Sequence, residues 1–257
     1  MESECFKVEV VDGVAICTMD GPRMNAMGEQ LLVPMMEGLA SVLDDDAVRV
    51  ILLRGAGGNF CTGADLNMMG EEMDPAVLYE SMEKVTSMMY RLHEGPKPVI
   101  CEVDGWSVGG GMSLAICSDI TYATDKALFL MSFIRISIIP DLGSSYFLSR
   151  RVGLARAKEL ALTGRVIDAE EAYRIGLVNR VFPQDEITGE VMKRARKMAG
   201  RSARALELTK RNLNVAHQVD LQTLMHLENS TQPFMVLSPE HKADVEAFLA
   251  KQASADS

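Results

Sequence analysis

The start of the chain alternates between two hydrophobic patterns. Phe6–Val11 and Val14–Met19 are short runs rich in β-branched residues, and the intervening Asp12-Gly13 predicts a β-hairpin. From Gly28 to Leu43 the apolar residues recur at helical spacing, which predicts an amphipathic helix. The same patterns predict strands at Val48–Leu53, Val99–Val103, Ile120–Ala123 and Ala127–Met131, and helices at Ala76–His93, Met112–Ile120, Ser144–Val152, Ala155–Leu162, Asp168–Ile175 and Ile187–Ala199.

The strand patterns stop before the last part of the chain. Only helical spacing is found at Ala203–His217, Leu221–Asn229 and Pro239–Gln252. The sequence therefore predicts two regions, 1–200 and 201–257, with a boundary near Gly200. The first region has the mixed pattern of an α/β fold, and the second is expected to be all-helical.

Two of the predicted buried strands run into glycine-rich turns. Residues 57–66 read GGNFCTGADL, and residues 105–111 read GWSVGGG. Glycine lets a ligand approach the backbone, and the first N–H groups of a helix have no intrahelical partner. Two such turns could each supply one N–H to a single carbonyl oxygen, as in an oxyanion hole. A turn packed tightly against a neighbouring helix is the simpler alternative, and neither turn has the pattern of a phosphate-binding loop.

The two turns resemble the sequence motifs of a known family. Residues 60–66 are similar to F-[SC]-x-G-A-D-L, and residues 105–120 are similar to G-x-x-x-G-G-G-x-x-L-A-x-x-C-D-I, both of the crotonase (enoyl-CoA hydratase/isomerase) superfamily. The resemblance extends from about Phe6 to the C-terminus. It implies a crotonase-like spiral of ββα units with a C-terminal all-helical trimerisation region. It also implies an acyl-CoA thioester as ligand and self-association as a trimer or a dimer of trimers.

The resemblance also implies a set of site residues. The backbone N–H groups of Ala64 and Gly110 would hold the thioester oxygen. Lys251 resembles a lysine that reaches the CoA phosphates, although an isolated lysine near the end of the chain is more often solvated. Coenzyme A enters as part of the substrate, so neither a separate cofactor nor a metal is expected. The implied contacts with CoA or the acyl group are Arg23, Met24, Ala26, Thr62, Ala64, Asp65, Leu66, Gly109, Gly110, Phe133 and Lys251.

The catalytic acids of the hydratases in this superfamily are missing. Their two glutamates fall on Ser113 and Phe133 here. Hydration needs a base to activate water and an acid to deliver a proton, and neither of these residues does that readily. Residues 139–146, IPDLGSSY, resemble instead the P-[ED]-x-x-S-S-Y stretch of the Δ3,Δ2-enoyl-CoA isomerases. By this resemblance Asp141 would be the one base that shifts a double bond from 3-enoyl-CoA to 2-enoyl-CoA.

Other interpretations of these residues stay open. Asp141 precedes a predicted helix, where aspartate is a preferred N-cap and would accept from the N–H of Gly143 or Ser144. The chain could also catalyse hydration, thioester hydrolysis or decarboxylation. A third hypothesis is a member without catalysis that binds acyl-CoA or serves only in assembly.

Composition adds expectations about environment. The formal net charge of −10 argues against non-specific binding to nucleic acid or to an anionic membrane. The five scattered cysteines favour a reducing compartment. No apolar run is long enough to span a bilayer, and the start MESE lacks the apolar region of a signal peptide, so a cytoplasmic location is expected. Core filling and an adaptable wall for an acyl chain are equally good explanations of a methionine cluster. The cluster comprises Met68, Met69, Met73, Met82, Met88 and Met89.

Overall fold

The structure is a computed structural model that describes residues 5–68 and 74–255. The chain forms two compact units, Met1–Gly200 and Arg201–Ser257. No helix in the described part of the chain is both long and apolar enough to cross a membrane.

Short strands and helices alternate through the first unit. The strands are β1 (Phe6–Val11), β2 (Val14–Met19), β3 (Val50–Gly55), β4 (Val99–Val103), β5 (Trp106–Val108), β6 (Ile120–Thr124), β7 (Leu128–Leu130), β8 (Val166–Asp168) and β9 (Arg180–Phe182). The helices are α1 (Pro22–Asn25), α2 (Glu29–Asp44), α3 (Pro75–Glu94), α4 (Gly110–Cys117), α5 (Ser144–Val152), α6 (Leu154–Thr163), α7 (Ala169–Arg174) and α8 (Ile187–Ala199). Short 3₁₀ turns occur at Leu66–Met68 and Phe133–Ile136.

The strands lie in two sheets. Within the described residues the larger sheet has the order β1-β2-β3-β4-β6-β9, and the smaller has the order β5-β7-β8. The β1–β2 hairpin is antiparallel, and β2 to β9 continue as parallel neighbours. The chain leaves the larger sheet after β4, enters the smaller one at β5, forms α4 and returns at β6. This repeated passage from one sheet to the other, followed by a helix, produces the spiral of ββα units.

Two apolar clusters hold the first unit together. The larger one lies between the sheets and helices α2 to α7, and the smaller one lies between the larger sheet and α8. Helix α4 is central to the larger cluster, because all eight of its residues are buried. A helix that is buried on every side has little water available for its end groups, so their hydrogen bonds come from other parts of the protein or from a bound ligand.

The second unit consists of α9 (Ala203–Val215), α10 (Leu221–Val236) and α11 (Pro239–Ala255). The predicted all-helical character is therefore observed. Helix α10 is longer than expected because it continues through Pro233. A role of these helices in trimerisation remains a prediction.

Several boundaries differ from the sequence-based expectation. The hairpin, β4, α5 and α8 have the predicted limits, whereas β5, β8 and β9 were not predicted. The predicted helix Met112–Ile120 is wrong at both ends, since α4 runs from Gly110 to Cys117 and Ile120 begins β6. Ser118 has an extended backbone that ends the helix. Asp168 ends β8 and caps α7 by accepting from the N–H of Glu171.

Candidate active site

The two glycine turns are held side by side by backbone hydrogen bonds. The N–H groups of Phe60 and Cys61 both donate to the Trp106 carbonyl, at 3.1 and 3.0 Å. The Val108 N–H donates in return to the Cys61 carbonyl at 2.9 Å. Residues 60 and 61 therefore run parallel to β5, which brings the turn after them next to the start of α4. Sequence alone placed each turn at the end of a strand but did not show that they meet.

The closest approach involves Gly63 and Gly110. A Cβ placed on Gly63 would lie 3.0 Å from the Gly110 nitrogen. Neither the Ala64 N–H nor the Gly110 N–H donates a hydrogen bond to any residue that the structure describes. The arrangement thus presents two neighbouring backbone donors without protein acceptors, as an oxyanion hole requires.

The alternative explanation of the glycines, close packing, also applies to several of them, and Gly111 is a clear case. A Cβ on Gly111 would lie 2.1 Å from the Cys61 carbonyl oxygen. No side chain fits at that distance, so Gly111 is needed for α4 to contact the first turn. Gly109 has a φ of 51° and donates its N–H to the Leu130 carbonyl at 2.8 Å, which attaches the start of α4 to β7.

A left-handed turn supports the first glycine motif. Arg23, Met24 and Asn25 all have positive φ, between 53° and 59°. Asn25 is buried, and its Nδ2 donates to the carbonyl oxygens of Asn59 (2.8 Å) and Phe60 (3.2 Å). Asn25 is not among the site residues predicted from the sequence. The residue type could have identified it, because asparagine tolerates a left-handed backbone better than most residues.

Four of the predicted contact residues bond to each other. The Thr62 hydroxyl donates to the carbonyl oxygens of Arg23 (3.0 Å) and Met24 (3.3 Å). The Arg23 guanidinium forms an ion pair with Asp65. Burial by itself would raise the pKa of Asp65, but hydrogen bonds from Asn67 and the charge of Arg23 outweigh it and lower this pKa. Asp65 therefore stays ionised and braces the turn.

Asp141 lies in a tight turn before α5. Both the N–H and the hydroxyl of Ser144 donate to the backbone carbonyl of Asp141, at 2.9 and 2.6 Å. Leu142 and Gly143 in between have φ values of 50° and 74°. The Leu142 side chain points to the first residue of α4, since its Cδ1 is 3.4 Å from where a Cβ on Gly110 would lie. The turn thus adjoins Gly110, whose N–H is one of the two neighbouring backbone donors.

The Asp141 carboxyl group is not a helix cap. The N-cap residue of α5 is Gly143, and no side chain caps that helix end. Asp141 Oδ1 is buried and has no hydrogen-bond partner among the described residues. Burial raises the pKa of Asp141, and a bond from its own backbone N–H offsets only part of the rise. The alternative that Asp141 caps α5 is therefore wrong, because Ser144 bonds to the backbone of Asp141 and not to its side chain.

The surroundings of the two donors are mainly apolar. Met27 Cε is 2.6 Å from the Cβ position of Gly110, and Phe133 Cζ is 4.0 Å from that of Gly109. Ser132 Oγ, at 2.9 Å from the Gly109 position, is the polar exception. Ser113 is fully buried, and its hydroxyl donates to the Gly109 carbonyl at 3.1 Å. Ser113 is therefore occupied within its own helix.

The remaining predicted residues are less closely tied to this site. Ala26 is buried, while Leu66 is exposed beside the first turn. Met88 and Met89 are buried in the core, Met68 and Met82 are exposed, and Met69 and Met73 lie outside the described residues. Lys251 is on the exposed surface of α11 in the second unit.

Metal and thiol chemistry receive no support from the described side chains. No group of three or more His, Cys, Asp or Glu residues among them is arranged to hold a metal ion. Cys61 lies in the first motif, but burial raises the pKa of its thiol to about 12. A thiol with that pKa stays protonated near neutral pH and is a poor nucleophile.

Comparison with known proteins gives a consistent result. Residues 9–255 match the protein family described as "Enoyl-CoA hydratase/isomerase". The 1,2-epoxyphenylacetyl-CoA isomerase of Escherichia coli K12 is 36% identical over 250 residues, which cover 95% of each chain. A probable enoyl-CoA hydratase, EchA12, of Mycobacterium tuberculosis H37Rv is 38% identical over 248 residues, covering 93% of this chain and 87% of that protein.

A solved structure supports the same assignment. The enoyl-CoA hydratase/isomerase of Cupriavidus metallidurans CH34 superposes with a TM-score of 0.90 at 33% identity, over 98% of this chain and 95% of that one. The predicted fold class is confirmed by this likeness. With a family match over nearly its whole length and relatives above 30% identity, the chain belongs to the enoyl-CoA hydratase/isomerase family.

Proposed function

We propose that this enzyme isomerises an enoyl-CoA, moving the double bond from C3 to C2 of the acyl chain. One observation carries the proposal. Asp141 is a half-buried acid whose Oδ1 is buried and has no hydrogen-bond partner among the described residues, in the turn whose Leu142 contacts Gly110. A carboxylate with a raised pKa and one buried oxygen that no described residue bonds is suited to accept a proton from carbon.

The reaction would proceed in two proton transfers. Asp141 removes a proton from C2 of the 3-enoyl-CoA, and the electron pair delocalises into the thioester carbonyl to give a dienolate. The N–H groups of Ala64 and Gly110 stabilise the negative oxygen. The protonated Asp141 then returns the proton at C4, which leaves the double bond at C2. No water or redox group takes part, so coenzyme A as part of the substrate is sufficient.

The apolar surroundings support this role of Asp141. Met27, Leu142 and Phe133 lie around the glycine donors and present no competing acid. Such surroundings exclude water, which keeps the pKa of a carboxyl group high and prolongs the life of an enolate. Among the relatives, the isomerase of Escherichia coli also acts on a CoA thioester according to its name.

Hydration is the second candidate. It is favoured by the relative from Mycobacterium tuberculosis, which is named a probable enoyl-CoA hydratase. In this case Asp141 would activate a water molecule, and a separate acid would have to protonate C2. Ser113 and Phe133 occupy the positions at which the resemblance to hydratases implies the acids.

Product analysis separates the candidates. The purified protein is incubated with 3-enoyl-CoA and, in parallel, with 2-enoyl-CoA. Isomerisation leaves the mass of the 3-enoyl substrate unchanged, whereas hydration of the 2-enoyl substrate adds the mass of one water. We expect the wild-type protein to isomerise 3-enoyl-CoA. The Asp141→Asn variant should lose this activity but still bind a saturated acyl-CoA. An Asp141→Asn variant with full activity, or a hydrated product, would overturn the proposal.

The acyl-CoA substrate class follows from the family, whereas the assembly state is a further proposal. We expect self-association as a trimer or a dimer of trimers, from the resemblance alone. Sedimentation equilibrium of the full chain tests this directly. A monomer at micromolar concentration would refute it.

A further inference from the structure

The two helices that carry the proposed catalytic groups contact each other at both ends. At their N-terminal ends, Leu142, just before α5, lies against Gly110, the first residue of α4. At the other ends, Arg151 of α5 reaches the C-terminus of α4. Its Nε donates to the Ile116 carbonyl at 2.9 Å, and its Nη2 donates to the Ser118 carbonyl.

These bonds satisfy groups that a helix cannot satisfy by itself. The last carbonyls of an α-helix have no intrahelical donor, and a positive charge is favourable at this end. Since α4 is buried along its whole length, water is a poor substitute for the guanidinium. The preceding carbonyl, of Ala115, is bonded by the hydroxyls of Ser118 (2.7 Å) and Thr121 (2.9 Å). The carbonyls of Ala115, Ile116 and Ser118 thus all accept hydrogen bonds from side chains.

Arg151 also joins α4 to a third segment. Its Nη1 donates to the Leu177 carbonyl, after α7, at 3.1 Å. One planar guanidinium therefore bonds to three carbonyls from two parts of the chain. A guanidinium provides a rigid fork of donors, which a lysine ammonium does not. Arg151 thus adds a rigid polar link between α4 and α5 to the apolar contacts of the larger cluster.

We infer that Arg151 is a positioning residue for the proposed isomerisation. It does not touch the reacting atoms, but it fixes the C-terminus of α4 against α5. Helix α4 begins at Gly110, and the turn before α5 holds Asp141, so Arg151 sets the distance between the oxyanion donor and the base. The inference rests on the proposed function, in which both groups act. A displacement of about 1 Å at such groups can lower the rate about 10²-fold.

Two neighbouring arginines provide a matched test. Arg151→Met removes the three bonds and keeps an apolar stem. Arg150→Met is the control, because Arg150 is exposed, stacks on the Tyr146 ring at 3.4 Å and bonds within its own helix. We expect kcat for 3-enoyl-CoA to fall about ten- to a hundred-fold in Arg151→Met and to stay near the wild-type value in Arg150→Met. The dissociation constant for butyryl-CoA, which cannot be isomerised, should stay unchanged in both.

The Arg151→Lys variant keeps the test decisive if the methionine variant does not fold. Lysine retains the charge but cannot reproduce the fork, so we expect an intermediate loss of kcat with an unchanged dissociation constant for butyryl-CoA. A purely structural role would lower the unfolding temperature while the folded fraction keeps the wild-type kcat, and that result overturns the inference.

The wild-type assay distinguishes failure of the proposed function from failure of the proposed role of Arg151. If the wild-type protein isomerises no 3-enoyl-CoA, the proposed function fails, and the role of Arg151 fails with it. If the wild-type protein is active and the foldable Arg151 variants match it in kcat, only the role of Arg151 is refuted.

Discussion

Gly63 and Gly110 meet through their backbones. A Cβ on Gly63 would lie 3.0 Å from the Gly110 nitrogen and 2.7 Å from the Val108 carbonyl oxygen. Gly63 also has a φ of 81°, which residues with a side chain rarely adopt. Two donors can converge on one oxygen here because no side chain separates the two turns.

Gly63→Ala should therefore damage catalysis more than folding. The added methyl group pushes the two turns apart and moves one oxyanion donor, and loss of one donor typically costs about 10²–10³ in kcat. Gly57→Ala is the matched control, because Gly57 has a φ of 68° but no atom within 4 Å of its Cβ position. Both variants strain a left-handed backbone, but only Gly63→Ala also clashes with backbone atoms, so its unfolding temperature should fall further and kcat is compared per folded protein. Equal kcat values in the two variants would contradict the proposed oxyanion hole.

Asp141→Asn should stabilise the protein while it removes activity. Burial raises the pKa of Asp141 in the folded state. Its contribution to stability is thus fully present below the unfolded-state pKa and is lost as the pH rises through the folded-state pKa. The neutral amide avoids this loss, so the variant should melt at a higher temperature than wild type at neutral pH, with the difference shrinking in acid.

Calorimetry across this pH range, with Asp46→Asn as the control, checks the stability prediction. Asp46 is exposed after α2. Its substitution should change neither the unfolding temperature nor the kcat. A destabilised Asp141→Asn protein at neutral pH would mean that the carboxylate has stabilising partners in the folded state.

Replacing Glu102, a buried acid on the opposite face of the larger sheet, should also stabilise the protein at neutral pH. Its carboxyl is buried, accepts from the Thr188 hydroxyl at 2.8 Å, and has an unpaired buried Oε2 among the described residues. Burial raises the pKa of Glu102, although the bond from Thr188 and the charge of Arg54 lower it in part. Because the raised folded-state pKa means that stability is lost as the pH rises, Glu102→Gln should raise the unfolding temperature at neutral pH and change it little in acid.

Thr188→Val provides the complementary measurement. Removing the hydroxyl leaves the Glu102 carboxyl without its bond from α8. We expect the unfolding temperature at neutral pH to fall, and to fall less when Glu102→Gln is present as well. Additive effects of the two substitutions would show that Glu102 and Thr188 do not interact in solution.

Asn25 should matter for stability through both its side chain and its backbone. Its amide and carbonyl oxygen bond to the backbones of Gly21, Ala56, Asn59 and Phe60. Asn25→Gly keeps the left-handed backbone and loses the bonds, which should cost about 2–4 kcal/mol. Asn25→Ala loses the bonds and adds backbone strain of about 1–2 kcal/mol. Urea unfolding that finds the alanine variant as stable as the glycine variant would contradict the left-handed turn.

Much of the fold follows from local pattern. The β1–β2 hairpin and the limits of α5 and α8 follow from β-branched runs, an Asp-Gly turn and helical spacing. Strands β5, β8 and β9 could not be found in this way, because each has only three residues and pairs with a segment distant in the chain. A pattern of three residues is too short to show alternation, so their strand character depends on the partner.

The candidate site, like the fold, could be predicted only in part from the sequence. The available groups could be predicted from the sequence, namely two glycine turns after buried strands and one acid before α5. Whether Asp141 caps that helix stayed open, because an aspartate before a helix looks the same in either role. The packing of the chain answers this question, since burial of Asp141 Oδ1 and the contact of Leu142 with Gly110 depend on residues about thirty positions apart. Hydrogen-bond partners and desolvation are properties of the packed chain, and no local spacing encodes them.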